Sequence, residues 1–488
     1  MNDHSNDDLE TKLARAERLA RVLEPDAEQR SAVRDKVLRY SEDFLDKVNG
    51  LPAYISNAGT GRELLDQGFG ETGIDIESAI RLVHDNVDTP GLNPASGGHL
   101  GYIPGGGIYY SALGDYLADV FNRYAGVFYA SPGAVRMENM LLRWMCDLVG
   151  YPEGAAGNLT TSGSLANMIA IVVARDGRSI KSADVPRSVI YLSKQTHHSV
   201  DKAIRVAGLG ECVIRYLELD TRLRIVPRDL EQQIINDRSD GLNPFLVVAS
   251  AGTTDVGAID PLVELGTLAR SHGLWYHVDA AYGGFFILTD EGKAKLGGLE
   301  FADSLIIDPH KGLFLPYGLG VVLVKDAANL HRSYSFNAPY MQDAFRGPDE
   351  LSPAELSPEL TKHFRGLRLW LPLMLHGLAP FRACLEEKLL LAKYFYREVT
   401  KLGFESDVEP ELSVVTYRWV PRSGDPNDFN KKLLEAVVAD GRVFISSTKL
   451  NGKFTLRFAC LAFRTHRATV DTLLEILREN VVRLETET

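Results

Sequence analysis

The feature that most constrains the fold is an alternation of short apolar runs with helix-length segments between about residues 159 and 325. The apolar runs are SVIYLS (188–193), CVIRYLEL (212–219), FLVVAS (245–250), LWYHVD (274–279), SLIIDP (304–309) and GVVLVKD (320–326). Strands that alternate with helices form βαβ units, so the pattern predicts an α/β fold with a mostly parallel sheet covered on both faces. Ligands bind such sheets at the carboxyl ends of the strands.

The segments on either side of this region have helical periodicity. Residues 8–48 predict helices interrupted near Pro25, and residues 134–150 predict another amphipathic helix. Beyond residue 365, long helical patterns and the short strands SVVTYRW and KFTLRFAC indicate a smaller α+β region. We therefore predict three domains, which are an N-terminal helical arm (1–95), a large α/β domain (96–365) and a small C-terminal domain (366–488). The proline-containing stretch 335–360 is predicted to be an extended, mobile loop.

Composition excludes several classes of protein. The net charge of −12 argues against a protein that coats nucleic acid, and 45% hydrophobic with 24% charged residues is typical of a folded chain. The four cysteines, Cys146, Cys212, Cys384 and Cys460, form no CxxC pair, which predicts reduced thiols and neither a disulfide framework nor a metal site. Without an apolar leader or a stretch of about 20 apolar residues, the chain is expected to be cytoplasmic and not anchored in a membrane.

Four short elements in the α/β region carry the chemistry. They are TTSGSLANM (160–168), QTHHSV (195–200), HVDAAYGG (277–284) and DPHKG (308–312). The Gly/Ser turn of the first element precedes a predicted helix, where free backbone N–H groups can bind a phosphate. Each element alone is a weak signal, and an ordinary solvated helix cap is the more common explanation of such a turn when it stands alone.

Three side chains in these elements have a possible chemical role. Asp279 ends an apolar run, and a buried carboxylate there requires a cationic partner such as a protonated heteroaromatic nitrogen. Lys311 follows another strand, and desolvation is expected to lower its pKa toward neutrality and so make it a Schiff-base nucleophile. His197 can stack on a flat ring, whereas the neighbouring His198 is explained equally well as a surface or hydrogen-bonding residue. For Lys311 alone, a surface charge is the ordinary alternative.

The combination of a phosphate turn, a stacking histidine, an acidic group and a lysine is what an enzyme needs to hold pyridoxal phosphate. HVDAAYGG followed by PHK at this spacing resembles the group II pyridoxal-phosphate-dependent amino acid decarboxylases, the family that includes aromatic-L-amino-acid decarboxylase and glutamate decarboxylase. The matching motifs extend over residues 96–465. The resemblance implies the fold-type I architecture of the aspartate aminotransferase class, and a homodimer in which the N-terminal helices clasp the partner and the active site lies near the interface.

The resemblance also implies a role for individual residues. Lys311 would bond covalently to the cofactor, Asp279 would pair with its ring nitrogen and His197 would stack on its ring. The remaining cofactor contacts would be made by Ser162, Gly163, Ser164 and His310 at the phosphate, and by Thr254 and Ala281 at the face of the ring.

Other positions concern the reaction and the substrate. Tyr340 resembles the loop tyrosine that protonates the α-carbon after carbon dioxide leaves. Arg457 matches the arginine that supports binding of the substrate carboxylate, with a structural ion pair as the alternative. Tyr102 and Pro104 match the substrate-pocket segment of the family. The chain departs from the aromatic-specific pattern at Ile103, and at Asp308 it has a carboxylate where many members have Asn.

These resemblances predict decarboxylation of an L-amino acid with an aromatic or other bulky side chain to its amine and carbon dioxide. The expected partner is therefore a small amino acid, with neither nucleic acid nor membrane. Within the same cofactor class, an aldehyde synthase, a carbon–carbon lyase and a transaminase stay open as alternatives. From another class, a catalytically silent protein of this fold stays open as well.

Overall fold

The computed structural model describes residues 4–56, 61–335 and 350–487. The chain divides into two compact units, Met1–Asn93 and Pro94–Thr488. They are described separately below as unit 1 and unit 2. The predicted division of the second part at residues 365 and 366 stays a prediction.

Unit 1 is mainly helical. Its elements are α1 (His4–Ala20), α2 (Ala27–Lys47), β1 (Tyr54–Ile55), α3 (Glu63–Asp66), α4 (Ile76–Val83) and β2 (Gly91–Leu92). The predicted interruption near Pro25 is confirmed, because α2 begins only after Asp26. The Asp26 carboxylate accepts a 2.9 Å hydrogen bond from the Gln29 N–H, and the Gln29 side chain accepts one from the Asp26 N–H, which is a capping box.

The main sheet of unit 2 confirms the predicted α/β class. Its strands are β3 (Ala156–Thr160), β4 (Ser188–Leu192), β5 (Val213–Tyr216), β6 (Asn243–Ser250), β7 (Trp275–Asp279), β8 (Ser304–Ile307) and β9 (Gly320–Val324), and their spatial order is β3-β9-β8-β7-β6-β4-β5. Strand β9 is antiparallel to both of its neighbours, whereas the other neighbouring pairs are parallel.

Helices cover both faces of this sheet. Along β6 the buried side chain of Val247 packs on one face, while Leu246 and Val248 pack on the other with Ile169 of the helix after β3. The helices of unit 2 are α5 (Tyr109–Phe121), α6 (Pro132–Leu148), α7 (Gly163–Gly177), α8 (His198–Val206), α9 (Pro227–Ser239), α10 (Leu262–Ser271), α11 (Asp290–Lys295), α12 (Pro309–Gly312), α13 (Ala327–Tyr334), α14 (Gly366–His376), α15 (Ala379–Lys401), α16 (Pro426–Asp440) and α17 (Arg467–Thr486). Burial on both faces explains why the strands are continuous apolar runs.

The C-terminal part of unit 2 contains a second, antiparallel sheet. Its strands β10 (Val414–Tyr417), β11 (Ser446–Leu450) and β12 (Lys453–Ala459) have the order β10-β12-β11. Buried residues of this sheet and of α15 and α17, such as Phe458, Phe395 and Leu473, form a separate core cluster. The two strands predicted in this region are confirmed as β10 and β12.

The stretch that was predicted to be an extended loop is partly packed. Residues 336–349 lie outside the described residues, but Pro353–Glu355 form a turn of 3₁₀-helix and Pro353 is buried. Just beyond, the buried Lys362 ammonium lies 2.7 Å from the Glu138 carboxylate and 3.0 Å from the Asn158 side-chain oxygen. Within the segment, the Asn158 amide of β3 donates a 3.0 Å hydrogen bond to the Pro353 carbonyl, and the Asn139 amide of α6 donates one of 3.0 Å to the Leu351 carbonyl. For residues 350–360 the predicted extended, mobile loop is therefore wrong, because these contacts tie the segment to α6 and β3.

Two further expectations concern the cysteines and the membrane. All four cysteines are free thiols, and three of them are buried. Within the described ranges, the chain forms no helix with both the length and the apolar character needed to cross a bilayer.

Candidate active site

A cavity of about 140 Å³ lies in unit 2 where strands β4, β6, β7 and β8 reach their carboxyl ends. Its lining residues are Ser162, Gly163, Ser164, Asn167, Gln195, His197, Ser199, Ser250, Gly252, Thr253, Thr254, Asp279, Ala281, Tyr282, Ile306, Asp308, His310 and Lys311. Every residue that the sequence predicted to bind the cofactor is in this set. The four sequence elements, which are separated along the chain, thus meet at one edge of the sheet, as expected for a parallel α/β sheet.

One wall of the cavity is the start of α7. Ser162 caps this helix, since its hydroxyl oxygen accepts a 3.3 Å hydrogen bond from the Leu165 N–H. The next residue has no side chain, and a Cβ placed on Gly163 would lie 2.7 Å from an Asp308 carboxylate oxygen. Free N–H groups at the start of a helix bind anions, so this turn can hold a phosphate.

Asp279, the last residue of β7, also lines the cavity and is only 7% exposed. Its carboxylate accepts hydrogen bonds from the Asn167 side-chain amide at 3.0 Å and from the Ala281 N–H at 3.1 Å. Both donors are neutral. A buried carboxylate is stabilised further by a cation, and a protonated ring nitrogen would supply that charge.

Lys311 lies in α12, directly after β8, and its ammonium is 2.9 Å from the Asp308 carboxylate. Asp308 is 1% exposed, and its second carboxylate oxygen has no hydrogen-bond partner in the part of the chain that the structure describes. Burial is the largest single influence and favours a lower pKa for Lys311. The charge of Asp308, its hydrogen bond to the ammonium and the charge of Asp279 together outweigh burial and raise that pKa above its ordinary value. The predicted fall of this pKa toward neutrality is therefore wrong.

The two histidines of the cavity are neutral near pH 7. Burial lowers the pKa of His197, and the Nδ1 atom of its ring lies 2.7 Å from the Ser199 hydroxyl. Burial also lowers the pKa of His310, whose Nδ1 donates a 2.5 Å hydrogen bond to the Leu319 carbonyl. A neutral imidazole can stack on an aromatic ring without adding charge to the site.

The two residues predicted to contact substrate lie outside the set that lines this cavity. Tyr102 is exposed, and its ring packs 5.8 Å from that of Phe444. Arg457 is 3% exposed, and its guanidinium donates hydrogen bonds to the carbonyls of Gly101 (2.7 Å), Asp255 (3.0 Å) and Thr254 and to a serine hydroxyl. Arg457 thus connects the Tyr102 segment to the loop that carries Thr254, and its contact with a substrate carboxylate stays a prediction. Tyr340 lies outside the described residues.

Sequence reasoning gave no role to several lining residues. Asn167 lies four residues after Gly163, one helical turn further along α7, so the spacing of the motif itself could have indicated it. Ser199 lies two residues after His197, so its position next to a motif residue could also have indicated it. Gln195 had no such signal, and its side-chain oxygen is buried without a hydrogen-bond partner in the described ranges.

Comparison with known proteins assigns the chain to a family. Residues 79–420 match the family model described as "Pyridoxal-dependent decarboxylase conserved domain". The chain belongs to this family. An aromatic-L-amino-acid decarboxylase from Bacillus atrophaeus is 34% identical to this decarboxylase over 85% of this chain and 87% of that protein. A phenylacetaldehyde synthase from Arabidopsis thaliana is 29% identical over 94% of this chain and 97% of that protein.

Solved structures share the fold of this decarboxylase. Oryza sativa TDC, solved with PLP and tryptamine, has a TM-score of 0.89 at 24% identity, with 94% of this chain and 99% of that chain covered. Mouse CSAD has a TM-score of 0.84 at 26% identity, with 93% and 99% covered. The enzyme is therefore a carboxy-lyase that uses pyridoxal phosphate and acts on an amino acid, with the fold-type I architecture.

Proposed function

We propose that this decarboxylase converts a bulky, aromatic L-amino acid into its amine and carbon dioxide. The observation that carries the proposal is the meeting of Lys311, Asp279 and the start of α7 in one cavity. The choice of an aromatic substrate is supported by the relatives, which include tyrosine decarboxylases, a tryptophan decarboxylase and the bacterial aromatic-L-amino-acid decarboxylase.

The residues of the cavity fit pyridoxal phosphate by their chemistry. The capped start of α7 would hold the phosphate through Ser162, Gly163 and Ser164, with His310 nearby. Lys311 would hold the cofactor covalently, Asp279 would pair with its ring nitrogen, and His197, Thr254 and Ala281 would contact the ring. When bound, the cofactor draws electrons away from the α-carbon of the substrate and so weakens the bond to its carboxylate.

For substrate binding we propose Tyr102 and Arg457. The Arg457 guanidinium holds the Gly101 carbonyl, and Gly101 directly precedes Tyr102, so the two residues are connected through one hydrogen bond of 2.7 Å. This supports a shared role in the substrate pocket.

The test of the proposed function is carbon dioxide release by the cofactor-loaded protein across the proteinogenic amino acids, DOPA and diaminobutyrate, with the products identified by mass. We expect equal amounts of carbon dioxide and amine from an aromatic substrate. The Lys311→Ala variant should show no turnover, whereas Lys453→Ala, which changes an exposed lysine, should be unaffected. Full activity of Lys311→Ala, or turnover of none of these amino acids, would overturn the proposal.

Tyr340 is proposed to be the general acid that delivers a proton to the α-carbon. Tyr340→Phe keeps the ring and removes the proton, so we expect amine formation to fall by about 100-fold or more with little change in cofactor binding. Product analysis by mass, together with a cofactor titration followed by absorbance, checks both parts. An unchanged amine yield would remove Tyr340 from the mechanism.

An aldehyde synthase is the second candidate function, because a relative with that name covers 94% of this chain. Carbon dioxide accompanied by aldehyde and ammonia from the natural protein would support it. The presence of Tyr340 favours the amine-forming decarboxylase instead, because this proton donor completes amine formation.

We propose further that the enzyme is a cytoplasmic homodimer. The four free thiols fit a reducing compartment. The packed helices α5 and α14 expose the apolar side chains Tyr116, Val120, Phe121, Met374 and Leu375, and the helices of unit 1 expose Leu9, Leu13 and Leu19. Clustered apolar side chains of this kind are typical of a surface that a second copy covers.

A further inference from the structure

Behind Asp279, buried polar side chains form a continuous chain of hydrogen bonds. The Trp275 indole N–H lies 2.9 Å from the Ser304 hydroxyl oxygen, which is 2.9 Å from Nδ1 of His277. Nε2 of His277 is 2.9 Å from the Asn167 side-chain oxygen, and the Asn167 amide nitrogen is 3.0 Å from the Asp279 carboxylate. All five residues are buried. These hydrogen bonds therefore connect the core of the sheet to the Asp279 carboxylate, which is proposed to contact the cofactor ring.

The hydrogen-bond chain can run in only one direction. The Asn167 amide nitrogen donates to the Asp279 carboxylate, so the Asn167 oxygen faces His277 and can only accept, and Nε2 of His277 must donate to it. Burial lowers the pKa of His277 to about 4, so the ring is neutral at pH 7 and has no second proton. Its Nδ1 therefore accepts from the Ser304 hydroxyl, whose oxygen accepts from the Trp275 indole N–H.

The Asn167 amide has a second N–H, which extends the network to the other side of the cavity. The Asn167 amide nitrogen lies 2.9 Å from the Ser199 hydroxyl oxygen, and this oxygen lies 2.7 Å from Nδ1 of His197. Because His197 is neutral and its Nδ1 also faces the Ser199 N–H at 3.3 Å, Nδ1 accepts the hydroxyl proton. One amide group thus holds both the carboxylate and the imidazole that border the cavity.

We propose that Asn167 and His277 are positioning residues that fix the direction of the Asp279 carboxylate toward the ring nitrogen of the cofactor. The inference rests on the proposed pairing of Asp279 with that nitrogen. Only two donors hold the Asp279 carboxylate in the described residues, the Asn167 amide and the Ala281 N–H. Loss of the amide leaves a carboxylate that can rotate, and His277 prevents the amide itself from turning over.

The experiment compares two cofactors that differ only at the ring nitrogen. Dissociation constants of pyridoxal 5'-phosphate and of 1-deazapyridoxal 5'-phosphate, in which a C–H replaces this nitrogen, are measured with the cofactor-free full-length protein. The natural protein should bind the nitrogen-containing form more tightly. In Asn167→Leu the ratio of the two constants should fall at least tenfold, because Asp279 no longer faces the nitrogen.

His277→Phe keeps a planar ring without donors, and it should lower the same ratio at least threefold even where Asn167→Leu fails to fold. The matched control is Asn430→Leu, since Asn430 is also fully buried but donates its amide hydrogen bonds to the Trp419 and Pro426 carbonyls. This control should lower the temperature of unfolding and leave the ratio of the two dissociation constants unchanged. If the role of Asn167 were purely structural, Asn167→Leu would give the same result as this control.

The outcomes separate this inference from the function on which it rests. A natural protein that binds both cofactors equally would overturn the pairing of Asp279 and the positioning role together. A natural protein that prefers the nitrogen-containing form, with variants at 167 and 277 that keep this preference within twofold, would overturn the positioning role alone.

Discussion

At the scale of single residues, Asp308 determines the charge of the lysine that must react with the cofactor. The contact of 2.9 Å between its carboxylate and the Lys311 ammonium raises the pKa of Lys311, although burial opposes this. An amine is a nucleophile only when it has lost its proton. The pair therefore stabilises the protein without a cofactor in a form that does not react with an aldehyde.

We expect Asp308→Asn to increase the rate at which the cofactor-free protein combines with pyridoxal phosphate at pH 7. The uncharged amide leaves burial as the main influence on Lys311, which lowers its pKa, and each unit of decrease raises the neutral fraction about tenfold. In the natural protein the rate should still increase with pH at and above 10.5, the ordinary pKa of lysine. In the variant the same increase should occur at lower pH. Stopped-flow absorbance between pH 6 and about 11 measures both profiles.

Pyridoxal without its phosphate is the control ligand for this experiment. If Asp308→Asn acts through Lys311, the rate should increase for both ligands. An increase confined to the phosphorylated form would instead indicate relief of charge repulsion at the phosphate. A rate that is unchanged or lower with both ligands would contradict the assigned role of Asp308.

The stability of the cofactor-free protein should follow the same pair. Because the pKa of Lys311 in the folded state lies above its ordinary value of 10.5, the stabilisation is complete below that pH. It is then lost as the pH rises through the raised, folded-state pKa. The alkaline loss of stability should accordingly be smaller in Asp308→Asn.

At the scale of single elements, the start of α7 depends on the close approach of Asp308. A Cβ on Gly163 would lie 2.7 Å from one carboxylate oxygen and 3.0 Å from the other, and the ion pair with Lys311 keeps the carboxylate in place. We therefore expect Gly163→Ala to weaken binding of pyridoxal phosphate at least about tenfold, equivalent to about 1.4 kcal/mol.

Gly133→Ala is the matched control for that substitution. Gly133 lies in the first turn of α6, and a Cβ there has no atom within 4 Å. Its cofactor affinity should be unchanged and its stability equal or higher by up to about 1 kcal/mol, since alanine is the better helix former. Equal cofactor affinities of the two variants would show that the approach of Asp308 does not matter.

The comparison of sequence with structure differs between kinds of element. Strands such as β7 and β8 were predictable because burial on both faces makes them apolar runs, and the motifs at their ends therefore converge on one cavity. Strand β3, with the sequence AGNLT, and β11, with SSTKL, lack such runs, so only their neighbours in the sheet define them. Residues 350–360 appeared loop-like for the same reason, since the contacts that hold them come from α6 and β3.

The sequence was sufficient to predict which residues form the site, but not their protonation states or hydrogen bonds. Sequence motifs indicated Asp279, His197 and Lys311, which do border one cavity. The raised pKa of Lys311 depends on a distance to Asp308, and the network through Asn167 depends on hydrogen bonds between α7 and β7. Neither is encoded in spacing along the chain, because both require the assembled sheet.

At the scale of the whole molecule, the proposed homodimer gives a test that depends on one exposed helix face. Val120 of α5 is 60% exposed, and Val482 of α17 is 62% exposed, so the two valines differ mainly in their surroundings. Val120 lies four residues after the exposed Tyr116 and next to the exposed Phe121, whereas we place no interface on α17. A charge introduced at a covered apolar surface loses its hydration without gaining a partner.

We therefore expect Val120→Glu to weaken dimer formation at least about 100-fold, equivalent to about 2.7 kcal/mol, and Val482→Glu to leave it unchanged. Light scattering over a range of protein concentrations measures the assembly, and circular dichroism during heating shows whether each variant is folded. A natural protein that is monomeric at micromolar concentration would contradict the proposed dimer. A dimer that both glutamate variants leave intact would place the interface away from α5, because a stable interface that includes this face could not accept the charge.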